Sequence, residues 1–158
     1  MSFPDQLLEQ ARHLAKREKT RPRQASLRRA VSTAYYALFH LLISEATKNW
    51  KRADQRHVLA RAFDHGKMKN ASEGSKVSKI LNVNLPTNHD GELRRVADTF
   101  IQSQQERFTA DYDNATQWTR TQVLSRIDAV ADAFQGWKSI RDEPSAQAYL
   151  LSFLGKDR

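Results

Sequence analysis

Two arginine–histidine pairs are the residues in this chain best suited to chemistry. Arg61 and His65 are four apart, so a helix would place both on one face. Arg52 and His57 are five apart and align only if Arg52 lies ahead of the helix start. Histidine moves protons near neutral pH, and the arginine fork binds anionic oxygens such as those of phosphate. A second constellation joins Tyr35, Tyr36 and His40 in one apolar stretch to Arg107, Asp111 and Tyr112 in another. Arg107 and Asp111 share a helix face and can pair. A third feature is charge. The chain carries +8, and Arg12–Arg29 holds eight Lys or Arg residues, Arg28 and Arg29 among them, against the single acid Glu18. A polyanion would find its field there.

Each feature also has a plainer reading. His65 would close a helix, favoured by the dipole, with Gly66 as its left-handed cap. His57 would be exposed in a first turn. His40, between Phe39 and Leu41, would be a hydrogen-bonded core histidine. Arg107 and Asp111 would be a buried ion pair closed by tyrosine hydroxyls. The basic stretch would be a solvated surface.

The rest of the sequence narrows the chemistry. There is no cysteine, hence no disulfide, zinc–thiolate site or thiol nucleophile, which suits a reducing cytoplasm. The histidines show no metal-like spacing with carboxylates, and phosphate-binding glycine loops and H-E-x-x-H are missing, so no metal or cofactor is expected. No apolar run approaches a bilayer span, and the N-terminus lacks the features of a signal peptide, so no membrane role is expected.

These residues must be positioned by helices. Five glycines and four prolines in 158 residues leave helix formers dominant. The sequence predicts an all-α, up-and-down bundle of five or six helices in a single domain, 1–158. The first helix runs from Phe3 or Pro4 to Lys19, capped by Ser2. Pro22 marks a turn. The second, Gln24–Trp50, is apolar on nearly every side and belongs mid-bundle. The third spans Ala53–His65. A long connection follows over about 66–90, with one short turn at Ser75–Leu81. The fourth helix resumes at Gly91 and reaches Asp111 or Tyr112. The fifth, capped by Thr116, carries a seam of Val123, Ile127, Val130, Phe134, Trp137 and Arg141. Pro144 ends it or opens a last piece over Ser145–Leu154.

The stretch Arg28–His40 reads R-x-x-x-x-x-x-Y-Y-A-x-x-H and resembles the second helix of HEPN domains, helical bundles tied to RNA cleavage or nucleotide handling. Arg107-Phe108-Thr109-Ala110-Asp111-Tyr112 resembles the R-x-x-A-D-Y element of one HEPN branch. The resemblance implies a HEPN-like bundle in which Arg107, Asp111 and Tyr112 bridge to Tyr35, Tyr36 and His40. It implies binding of RNA or a nucleotide. It also implies metal-independent cleavage, in which a histidine activates the ribose 2′-hydroxyl and an arginine steadies the phosphorus charge. Arg61/His65 and Arg52/His57 are the candidate catalytic pairs, although Ala62 and Ala53 stand where the family commonly has asparagine. Three roles follow: an endoribonuclease of toxin or defence type, a non-catalytic binder of RNA or nucleotide, and a partner subunit of a separately encoded nucleotidyltransferase. A homodimer is expected, with Trp137, Tyr149 and Phe153 as its exposed apolar patch.

Overall fold

The computed structural model describes residues 1–84 and 91–155. Among these it holds eight α-helices and no strand, so the chain is all-α. They are α1 (Phe3–Ala15), α2 (Gln24–Thr47), α3 (Arg56–Ala60), α4 (His65–Ala71), α5 (Gly74–Val83), α6 (Glu92–Tyr112), α7 (Arg120–Ile140) and α8 (Pro144–Ser152). A single 3-10 turn, Ala53–Gln55, precedes α3. No helix among the described residues is long and apolar enough to cross a membrane.

Four long helices, α1, α2, α6 and α7, form the core, and α2 packs against the other three. Their side-chain contacts fix the directions. Phe3 at the start of α1 meets His40 late in α2, so those two run antiparallel. Arg28 at the start of α2 reaches the end of α6. Glu45 near the end of α2 meets Arg141 beyond the end of α7. The order is therefore up, down, up, down, with α3, α4 and α5 inserted between α2 and α6. Fifteen residues of α2 are buried, as a helix apolar all round requires.

Two arginines tie the helix ends. Arg28 donates to the carbonyls of Ala110 (3.0 Å), Asp113 (2.7 Å) and Thr116. Arg120 donates to the carbonyls of Ala15 (2.9 Å), Glu18 and Lys19 (3.3 Å). Each brings a cation to the negative end of a helix and satisfies carbonyls the helix leaves open. Arg28→Ala should therefore cost about 2–3 kcal/mol in urea denaturation, the scale of hydrogen bonds to a charged donor. Arg29, exposed on the next residue, should change stability by less than about 0.5 kcal/mol when replaced by alanine.

Several expectations are corrected. Among the described residues there are eight helices, not five or six. The third predicted helix breaks after Ala60, and His65 begins α4 instead of closing a helix. The reason is Asp64, whose Oδ1 accepts the backbone N–H of Lys67 at 2.7 Å and starts a new helix. Gly66 lies inside α4 and, like every glycine described, has no positive φ. The connection over 66–90 is helical in α4 and α5; residues 85–90, which include Pro86 and His89, lie outside the described residues. Thr119, not Thr116, caps α7, through a capping box with Gln122. Thr116 instead bonds Asp113 at 2.8 Å. Trp137, Tyr149 and Phe153 are fully buried, so they form no exposed patch. Ser2 does cap α1, accepting from the Asp5 N–H.

Candidate functional site

The side chains that gather are His65 from α4, Tyr35, Tyr36, Phe39 and His40 from α2, and Gln104, Arg107 and Asp111 from α6. Helical spacing explains the α2 set. Tyr36 and His40 are four apart, on the stripe that begins at exposed Arg29, while Tyr35 and Phe39 turn inward. On α6, Gln104, Arg107 and Asp111 are three and four apart and share one face.

His65 is the hub. Its Nδ1 is hydrogen-bonded to the Tyr35 hydroxyl. Its ring stacks on Phe39 with centroids 4.1 Å apart and 17° between planes. The Gln104 amide reaches its carbonyl at 3.5 Å. Its Nε2 bonds to no described residue and is not sealed from solvent. Beside it the Arg107 guanidinium lies 5.4 Å from the Tyr35 ring centre and 5.7 Å from that of Tyr36, a cation–π cradle. Asp111 pairs with Arg107 at 3.6 Å and accepts from the Ser32 hydroxyl at 3.4 Å. Arg107 Nε and Gln104 Oε1, one turn apart, are buried without a hydrogen-bond partner.

The electrostatics keep His65 neutral. Burial lowers its pKa, and Arg107 and His40 add to the shift, while Asp64 opposes it. The positive end of α4 acts in the same direction. Burial also lowers the pKa of His40. Burial pushes the Tyr35 hydroxyl well above its ordinary range, so it stays protonated. A neutral histidine with one nitrogen held and the other open is a ready proton acceptor.

This has a consequence for stability. Both histidines bind protons less readily folded than unfolded, so stability rises with pH. Their contribution is full above the unfolded value of about 6.5 and is lost as pH falls through the lower folded values. Glu106, pushed up by burial despite Arg126, has the opposite sign and offsets part of the loss at lower pH. Melting temperature should therefore fall between pH 7.5 and 5.5. The fall should shrink in His65→Gln, measured by circular dichroism.

The structure separates the predicted pairs. Arg61, at the end of α3, is exposed, and its side chain bonds to no described residue; it shares no helix with His65. Arg52 is exposed and held by Asp54 at 3.1 Å, and His57 is exposed on α3. Arg28 is committed to carbonyls, whereas Arg29 remains free at the surface among the described residues. Tyr112 is exposed and outside the cluster. His40 is half-buried among the rings of Phe3, Tyr36 and Phe39, with no hydrogen bond to a described residue, and is not a paired core histidine. Arg107 and Asp111 do pair, as their spacing predicts. The basic stretch is partly spent within the fold, with Arg12 near Asp128 at 3.9 Å and Arg17 near Glu18 at 4.0 Å.

Sequence reasoning did not find Gln104, Ser32 or the stacking of His65 on Phe39. Gln104 lies one turn before Arg107, and that spacing was the available signal. A groove of about 660 Å³ lies elsewhere, between α6 and α7, and its carboxylates Glu92, Asp98 and Asp132 suit no anion. Among the described residues no group of three or more His, Asp or Glu is placed to hold a metal ion. No family model, curated protein or solved structure matches the chain.

Proposed function

We propose that the protein is a HEPN-like bundle that binds RNA and cuts it without a metal ion, with His65 and Arg107 as the reacting pair. The observation that carries this is the His65 ring, fixed at Nδ1 by Tyr35 and open at Nε2, beside a partly exposed arginine fork. In the productive tautomer Nδ1–H donates to the Tyr35 oxygen and Nε2 is bare. Nε2 takes the proton of a ribose 2′-hydroxyl. The oxygen attacks the adjacent phosphorus and the 5′-oxygen leaves. Arg107 donates to the phosphoryl oxygens as their charge grows. His65, now protonated, gives that proton to the departing 5′-oxygen, so the proton it took from the 2′-hydroxyl is accounted for. Asp111 and the two tyrosine rings hold Arg107 in place. The reading keeps His65 from the original pairs and replaces Arg61 with Arg107.

Support comes from the quoted sequence resemblance, the net positive charge, and the convergence of both motif segments on one site. The test incubates purified protein with single-stranded RNA in chelator and analyses the ends. Cleavage leaving 2′,3′-cyclic phosphate and 5′-hydroxyl ends is the expected result. Binding without cleavage would make the cluster a recognition site. Neither binding nor cleavage at low salt would overturn the reading.

A further inference from the structure

Phe108 and Tyr112 are among the most exposed large side chains of the fold, at 61 % and 65 %. They sit four apart in the last turns of α6, with ring centroids 5.0 Å apart. Each follows a residue of the Arg107–Asp111 pair, so the aromatic stripe lies about 100° round the helix from the charged one. The neighbouring positions Gln105, Asp113 and Asn114 are exposed and polar. Two rings in polar surroundings fall far short of the roughly 800 Å² per partner that a stable protein interface buries. Two adjacent aromatic rings are enough area for one nucleobase to stack on. Exposed Arg29, on the α2 stripe that leads to Tyr36 and His40, adds a cation without an ion-pair partner among the described residues.

We infer that Phe108 and Tyr112 are a stacking platform for one nucleobase of single-stranded RNA, with the adjoining phosphate at Arg107 and a further phosphate at Arg29. This rests on the function proposed above and names the form of RNA the site takes. Every base offers a π face, so the platform confers preference for unpaired strands over duplex without reading sequence.

The test measures anisotropy of labelled single-stranded RNA octamers over a salt series, with the Phe108→Ala/Tyr112→Ala double variant. Its affinity should fall about ten- to a hundredfold, with an unchanged salt slope, because stacking releases no counterions. The Phe108→Trp/Tyr112→Trp variant should keep wild-type affinity. Arg29→Ala should instead flatten the slope by about 0.7. Octamers carrying abasic positions should weaken wild type at one position and leave the double alanine variant indifferent. If wild type binds and cleaves RNA but the double alanine variant binds equally well, the platform is wrong and the proposed function stands. If wild type does neither, both fall. If the double variant changes sedimentation mass, the rings serve a second copy of the chain and the platform is overturned.

Discussion

His65→Ala and Arg107→Ala should each lower RNA cleavage by about 100- to 10,000-fold, the range for losing a positioned acid–base group or a charge-stabilising donor. Their combination should cost little more than either alone, since both act on one transition state. Arg107→Lys should recover little, because a point charge does not reproduce the two-pronged fork held between Asp111 and the tyrosine rings. Tyr35→Phe removes the hydrogen bond that sets the His65 tautomer while keeping the ring that packs on Phe39 and Phe100. It should slow cleavage less than His65→Ala does. Alanine at Arg52, His57 or Arg61 should leave cleavage at the wild-type rate, because these side chains lie exposed and outside the cluster. Far-ultraviolet circular dichroism separates lost chemistry from lost fold. Full activity in His65→Ala would exclude both His65 sites, and lost activity in Arg61→Ala with His65 intact would return the site to the sequence-adjacent pair.

That contrast shows what the sequence could disclose. Arg61 and His65 look like partners because helical spacing is a local rule. The rule fails where Asp64 starts a new helix, a cap that reads equally well as an exposed acid near a helix end. No proline marks the break between Ala60 and His65. The true neighbours of His65 come from residues 35 and 107, a juxtaposition set by how α2, α4 and α6 pack and by no local spacing. The pairing within each segment was legible, as Arg107 with Asp111 shows. Arg28 was legible as charge and as the first residue of the Arg28–His40 motif, but not as a tie between helix ends. Its role on three carbonyls depends on the loop after α6 arriving at the start of α2. The long helices were the readable part. The burial of α2 follows from its apolar residues on all sides, and the Ser2 cap from the residue types at the N-terminus.

The seam of α7 gives the largest expected effect on stability. Val123, Ile127, Val130, Phe134 and Trp137 repeat at four- and three-residue spacing, and all five are buried. The repeat ends on Arg141, which turns from the seam to Glu45 of α2 at 2.9 Å. Trp137 is among the largest fully buried side chains and packs near Tyr149 of α8, with ring centroids 6.4 Å apart. It therefore joins the four-helix core to the C-terminal helix. Trp137→Ala should cost about 3–5 kcal/mol, from lost transfer energy and an unfilled cavity between α7 and α8. Trp137→Phe should cost much less, because the indole Nε1 has no hydrogen-bond partner to lose and a ring still fills most of the space. Leu151→Ala, on the exposed side of α8, should stay within about 0.5 kcal/mol. Urea denaturation at neutral pH orders the three variants. If Trp137→Ala melts like wild type, α8 is not packed on the seam, and the burial of Tyr149 and Phe153 behind it would fall with it.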